Sequence, residues 1–161
     1  MEGEVADTQL GGHLPDEVRS ATEHHTAVVV GGGQSGLATA YYLRRYEMDF
    51  LILDNQEEPG GAWLHAWPSL TLFSAAAFSN LPGWPMPQYP GYPPASHVID
   101  YLEHYERRYD LPARRPVHVR SVSHDGGMFF LDSTVGQFTA DHVVAAPAPL
   151  NKFPPPPTPP L

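Results

Sequence analysis

The 161-residue sequence contains no cysteine, and no apolar run approaches the roughly 18 residues of a membrane-spanning helix. The lack of cysteine excludes disulfides, thiolate nucleophiles and cysteine-based zinc sites. Basic residues are scarce, with 9 Lys and Arg against 18 Asp and Glu, and the net charge is -9. Such a chain lacks the basic surface that attracts nucleic acid or an anionic membrane, so we expect neither as a partner.

Signals for export and for metal binding are also missing. The first residues, MEGEVADTQLGG, lack the basic start and apolar stretch of a signal peptide, and we expect a cytoplasmic protein. The nine histidines do not form a set with metal-ligand spacing, so no metal site is predicted. No acid–base pair stands out either, and the sequence assigns no catalytic residue.

The length suffices for one domain with a sizeable core, but not for two complete nucleotide-binding domains. Residues 1–25 are polar and acidic, and they predict a mobile tail ending in two solvated histidines, His24 and His25. Residues 26–146 form the predicted domain. In residues 147–161, PAPLNKFPPPPTPPL, eight of fifteen positions are proline, which excludes a helix or an interior strand and predicts a polyproline II tail.

A strand, a helix and a second strand are predicted at the start of the domain. Residues 27–30 are apolar and rich in β-branched side chains, as in a strand that is buried on both faces. Residues 34–46 carry apolar side chains at helical spacing, and residues 48–53 form another apolar run. Together they have the size of one βαβ unit.

The sequence GGGQSG lies between the first strand and the helix, where a dinucleotide fingerprint GxGxxG belongs. In that motif Gly31 permits a tight turn, Gly33 lets the backbone approach a pyrophosphate, and Gly36 lets the helix pack closely on the sheet. The phosphates then meet free N–H groups at the positive end of the helix dipole. The alternative is a glycine-rich turn that binds no ligand.

Asp54 ends the second strand at about the spacing of a ribose-binding carboxylate. A carboxylate accepts hydrogen bonds from ribose hydroxyls but repels an added 2′-phosphate, so NADP is disfavoured at this site. FAD and NAD both remain compatible with these residues.

The sequence Gly60-Gly61-Ala62-Trp63 narrows the choice. The order GxGxxG, Asp54 and Gly-Gly-x-Trp resembles the FAD-binding half of the flavin-containing monooxygenases and their Baeyer–Villiger relatives. A segment like WPSLTLFSAAAFSNLPGWPMP follows the Trp in bacterial members, and the resemblance covers about residues 26–146. It implies FAD at this motif and NADPH at a second one. In that family the reduced flavin reacts with O2 to oxygenate a small-molecule substrate, a soft nucleophile or a ketone.

The resemblance also implies roles for individual residues, carried over by position. The pyrophosphate of FAD contacts Gly31, Gly33, Gln34, Ser35 and Gly36, and the adenosine ribose contacts Asp54. The flavin side of the cofactor lies against Gly61 and Trp63, and its ring lies near Leu72, Phe73 and Ser74. The backbone of Val119 meets the adenine. For Trp63 the alternative is simple core packing.

The rest of the domain completes an α/β, Rossmann-like FAD-binding fold with a parallel sheet and a small antiparallel β-meander. Residues 57–95 are dense in proline, glycine and aromatic residues and predict an ordered cover. A helix capped by Ser96 is predicted through Tyr109. The runs VHVRSVSH, GMFFLDS, GQFTA and HVVAA predict the meander, with a hairpin turn at residues 125–127 and a return of residues 143–146 to the main sheet.

Two features depart from the family pattern. The family's Ala-Thr-Gly after its last strand is replaced by Ala146-Pro147-Ala148, and no second GxGxxG exists. We therefore expect a truncated FAD-binding part of a monooxygenase or oxidoreductase. The alternatives are a non-catalytic FAD- or ADP-binding module or pseudoenzyme fragment, and an NAD-dependent dehydrogenase domain, which the Gly-Gly-x-Trp sequence disfavours.

A chain that leaves its flavin face uncovered exposes Trp63, Trp67 and Phe73. Exposed apolar patches promote association, so we expect self-association or a partner that supplies the missing half. Light scattering at increasing protein concentration checks this expectation, and a monomer at high concentration would contradict it.

Overall fold

The computed structural model describes residues 22–147; the proline-rich segment after Pro147 and most of the predicted N-terminal tail lie outside that range. Within it, a six-stranded sheet has the strand order β3-β2-β1-β6-β5-β4. The elements are β1 Glu23–Val30, α1 Gln34–Arg45, β2 Phe50–Leu53, α2 Ala95–Arg108, β3 Ala113–Arg114, β4 Val119–Asp125, β5 Met128–Ser133 and β6 Gly136–Ala145. The predicted α/β fold is confirmed. No helix within residues 22–147 has the length and apolarity needed to cross a bilayer.

The strands β3, β2, β1 and β6 are parallel, and β1 lies between β2 and β6. Strand β1 begins at Glu23, several residues before its predicted start, because Glu23, His24 and His25 pair with β6. The prediction that His24 and His25 precede the strand is therefore wrong, although His24 is exposed as expected. Their pairing partners lie about 115 residues away, around Thr139, beyond the reach of a local pattern.

The antiparallel meander joins the parallel sheet through β6. The two predicted runs GQFTA and HVVAA form this single ten-residue strand, which pairs with β5 on one side and β1 on the other. The predicted turn lies between β4 and β5, where Gly126 and Gly127 both have positive φ. The predicted return of the chain to the main sheet extends to Ala145.

Alternate residues of the central strands supply two cores, one on each face of the sheet. On one face Val29 and Ile52 pack with residues of both helices, including Leu37 and Leu102. On the other face Val28, Leu51 and Leu53 pack against the meander and Val117. The sheet is thus covered by helices on one side and by its own curled extension on the other.

Helix α2 begins one residue before the predicted cap. Pro94 occupies the N-cap position and no side chain caps the helix, so the prediction that Ser96 caps it is wrong. Two buried tyrosines of α2 hold the aromatic cover: Tyr101 donates to the carbonyl of Trp84, and Tyr105 donates to that of Pro82, both at 2.6 Å. These bonds order a segment that has little regular structure of its own.

A charged cluster at the start of β1 predicts acid sensitivity. Arg114 donates two hydrogen bonds to Glu23 and, with a further bond from His25, lowers the pKa of Glu23 from 4.5 to about 2. A lowered folded-state pKa contributes stability that is present above pH 4.5 and is lost as the pH falls towards 2. Glu23→Gln should therefore lower the melting temperature at pH 7, and this difference from wild type should shrink between pH 5 and pH 3.

Thermal unfolding at several pH values tests this prediction. The control is Glu58→Gln, which alters an exposed glutamate outside the cluster. A difference that is the same at pH 7 and pH 3 contradicts it.

Candidate nucleotide-binding cleft at the carboxyl edge of the sheet

Three parallel strands end side by side at one edge of the sheet. Val30 of β1 is paired with Leu53 of β2 and with Ala145 of β6. The chain leaves β1 towards β2 on one side and returns in β6 on the other, so this is a topological switch point, where open α/β sheets form a ligand crevice. Gly31 and Ala146 close the edge by donating to the carbonyls of Leu53 and Val30, both at 2.8 Å.

The three fingerprint glycines lack a side chain for different physical reasons. Gly31 has a φ of 110°, and a side chain there would overlap the carbonyl oxygen of Ala146. A side chain on Gly36 would overlap the carbonyl oxygen of Gly31, so at both positions a side chain would clash with the backbone. A Cβ on Gly33 would have only the Cα of Gly61 nearby, at 3.8 Å, and would project into open space.

The first turn of α1 is suited to an anion. It contains no acidic residue, and no side chain donates or accepts a capping hydrogen bond at Gly33. The positive end of the helix dipole and its free N–H groups therefore face the space beside Gly33. This cradle, which a Cβ at Gly33 would fill, fits the pyrophosphate of a dinucleotide.

The sequence GGAW folds back onto the glycine loop. It lies in a 3-10 turn, Gly61–His65, in which Gly61 has a φ of 56° and a Cβ would lie 2.8 Å from the Cα of Gly33. The indole nitrogen of Trp63 donates to the side-chain carbonyl of Gln34 at 3.2 Å. Two motifs that are separate in the sequence thus form one continuous wall.

Two pockets lie along this wall and share Gly33, Ala146 and Pro147. The first has a volume of about 130 Å³, and its lining includes Gly31, Gly32, Asp54, Asn55, Gln56, Gly61, Val117, His118 and Val119. The second has a volume of about 190 Å³, and its lining includes Gln34, Ser35, Gly60, Ala62 and Trp63. The shared residues show that the two pockets adjoin at the glycine loop, as an extended two-part ligand requires.

The cleft brings together most of the residues that the sequence predicts for it. Gly31, Gly33, Asp54, Gly61 and Val119 line the first pocket, and Gln34, Ser35 and Trp63 line the second. Gly36 lies buried beneath the loop.

The residues predicted near the flavin ring, Leu72, Phe73 and Ser74, are not among the residues that line these two pockets. Leu72 is buried in the core on the helical face, and the hydroxyl of Ser74 bonds that of Ser79 at 2.8 Å. Neither residue lines either pocket. Phe73 is 92% exposed, as expected, but Trp63 and Trp67 are half-buried.

The structure places a buried arginine, Arg115, beside Asp54, and the sequence gives no indication of this contact. Arg115 follows β3, which pairs in parallel with β2, so the two residues follow the ends of neighbouring strands. Its Nε donates to Oδ2 of Asp54 at 2.7 Å, and its other two nitrogens donate to Glu106 of α2. Strand β3 has only two residues and no apolar pattern, so nothing local indicates this contact.

The fold and the cleft define a dinucleotide-binding domain of the Rossmann type. The sequence matches the family described as pyridine nucleotide-disulphide oxidoreductase over residues 28–148, and the chain belongs to that family. The family implies FAD and NADPH as cofactors, in agreement with the expectation from the sequence.

Known proteins that resemble the chain are oxidoreductases and flavin monooxygenases. It is 47% identical to the solved flavin-containing monooxygenase from Stenotrophomonas maltophilia, with a TM-score of 0.75 over 78% of this chain and 38% of that one. It is 34% identical to an uncharacterized oxidoreductase CzcO-like protein of Geobacillus kaustophilus, over 78% of this chain and 36% of the relative. It is 32% identical to the indole-3-pyruvate monooxygenase YUCCA6 of Arabidopsis thaliana, over 89% and 34%. The chain spans about a third of the length of these curated relatives.

The glycine contacts predict opposite outcomes for two alanine variants. Gly36→Ala introduces a side chain against the Gly31 carbonyl and should lower the free energy of unfolding by about 1–3 kcal/mol. Gly33→Ala, the matched control in the same loop, has space and a negative φ and should cost less than about 1 kcal/mol. Urea denaturation of both variants measures the difference. Equal destabilisation by the two variants would contradict the separate structural role of Gly36.

Proposed function

We propose that this chain is the FAD-binding part of a flavin-dependent monooxygenase or oxidoreductase that uses NAD(P)H and O2. The observation that carries the proposal is the two-part cleft at the switch point, which has a carboxylate in one pocket, a phosphate cradle in the middle and a tryptophan in the other pocket. The similarity to flavin monooxygenases from bacteria and plants supports a flavin rather than a nicotinamide in this cleft.

The residues of the cleft suit the parts of FAD in order. Asp54 accepts hydrogen bonds from the adenosine ribose, and the backbone near Val119 borders the adenine. The N–H groups at Gln34 and Ser35 bind the pyrophosphate beside Gly33. Trp63, held by Gln34, forms an apolar wall on the flavin side.

The flavin supplies the transfer of electrons from a pyridine nucleotide, and the protein supplies binding, orientation and exclusion of water. Among residues 22–147, the site's own contribution is the cradle, the ribose carboxylate and the wall formed by Trp63.

A second function is a nucleotide-binding module without catalysis. The observation that favours it is Pro147, which lines both pockets beside Gly33. Proline has no N–H to donate to a phosphate, and its ring restricts φ to values near −65°, whereas a glycine can adopt many backbone conformations. Such a module would bind FAD or ADP but would not pass electrons from NADPH to the flavin.

Titration of the purified chain with FAD, followed by flavin fluorescence, tests the proposal. We expect binding that ADP displaces, because both ligands share the adenosine and the diphosphate. Gly33→Ala should weaken FAD binding by about tenfold or more, since its methyl group blocks hydrogen bonds to a charged phosphate.

The Gly33→Ala protein must be fully folded under the conditions of the titration, as urea denaturation shows, for this result to count. Bleaching of bound FAD by NADPH under anaerobic conditions supports the oxidoreductase, and bound FAD without bleaching supports the non-catalytic module. Protection of the chain against heat by NAD, but not by FAD or ADP, would overturn the choice of flavin.

A further inference from the structure

The two oxygens of the Asp54 carboxylate have different surroundings. Oδ2 accepts a hydrogen bond from Nε of Arg115 at 2.7 Å. Among residues 22–147 no group donates to Oδ1. Every fully buried side-chain oxygen or nitrogen in that range has a hydrogen-bond partner, so Oδ1, which has none, is accessible. Because Asp54 lines the first pocket, Oδ1 is the oxygen that remains available there for a ligand.

Arg115 is itself fixed from behind. Its Nη1 and Nη2 donate to the two carboxylate oxygens of Glu106 at 2.8 and 2.7 Å, a bidentate pair. The side chain of Arg115 is 9% exposed, and neither Arg115 nor Glu106 lines a pocket of the cleft. Burial alone lowers the pKa of Arg115, but Glu106 and Asp54 outweigh it and the net shift is upward, so the guanidinium stays charged.

The middle glycine of the loop packs on this pair. A Cβ on Gly32 would lie 2.5 Å from Oδ2 of Asp54 and 2.7 Å from Nη2 of Arg115. Gly32 is not one of the fingerprint positions, so the ion pair explains why this position, too, has no side chain. The carboxylate is therefore confined by the glycine loop on one side and by the planar guanidinium on another.

We propose that Arg115 and Glu106 are positioning residues, which hold Asp54 so that a single carboxylate oxygen is presented to the ribose hydroxyls of an adenosine ligand. This inference rests on the proposed function of the cleft. Two carboxylates and one guanidinium carry a net charge of -1, so the group still repels a 2′-phosphate although Asp54 itself is paired.

The dissociation constants of ADP, 2′-deoxy-ADP and 3′-deoxy-ADP test this proposal. For the wild-type chain we expect at least one deoxy analogue to bind about tenfold more weakly than ADP, because a hydrogen bond to a charged acceptor is lost. Arg115→Met should bring that ratio close to one, since the freed carboxylate no longer faces the ribose. Glu106→Gln, which weakens the hold on Arg115, should give an intermediate ratio.

Two comparisons separate positioning from a general loss of structure. Arg114→Met alters the neighbouring arginine, which pairs with Glu23 and lines neither pocket of the cleft, and it should keep the wild-type ratio. Asp54→Ala should bring the ratio of the two dissociation constants close to one. Adding Arg115→Met to Asp54→Ala should change that ratio no further. A structural role for Arg115 would instead weaken ADP and its deoxy analogues equally.

The outcomes distinguish this inference from the proposed function. A wild-type chain that binds neither FAD nor ADP overturns both. A wild-type chain that binds ADP without discriminating against the deoxy analogues overturns only the role of Asp54 and its positioning residues. If Arg115→Met does not fold, Glu106→Gln decides, and a wild-type ratio in that variant overturns the inference.

Discussion

Strand β1 is paired in parallel with β2 on one side and β6 on the other, and the candidate site depends on this pairing. It brings Val30, Leu53 and Ala145 to the same edge, so the segments that follow them meet there. Gly31 then turns the chain into α1 only because it can lie against the carbonyl of Ala146 without a side chain. A change in the register of β6 would remove this contact and the shared wall of both pockets.

An acidic chain can still offer a site to an anionic dinucleotide, because the groups expected to face the phosphates are backbone N–H groups. The phosphate cradle uses backbone N–H groups and the helix dipole, and these need no basic side chain. The one carboxylate in the first pocket, Asp54, is paired with Arg115 behind it. The net charge of the chain is a property of its surface as a whole, and it does not describe the field within this cleft.

The sequence predicts correctly those features that are determined by residues a few positions apart, and it misses those determined by residues far apart in the chain. The βαβ unit, the glycine turn at residues 126–127 and the meander were predictable because periodicity and turn residues act over a few positions. The early start of β1 and the two-residue β3 were not, because partner strands far away in the chain create them. Leu72 was assigned to the flavin ring by its place in a family pattern; its side chain packs in the core on the helical face, and its place near the ring stays a prediction.

The sequence by itself determined the α/β class and the dinucleotide fingerprint, and it singled out Asp54 as the candidate acidic residue of the site. These follow from spacing along one continuous segment. Only the tertiary structure decided that Gly61 packs on Gly33, that Gly32 lies against an ion pair and that Arg115 and Glu106 hold Asp54. Gly61 and Gly33, Gly32 and Arg115, and Arg115 and Asp54 are each more than 25 positions apart in the sequence. Strand pairing and core packing, rather than local pattern, bring these residues together.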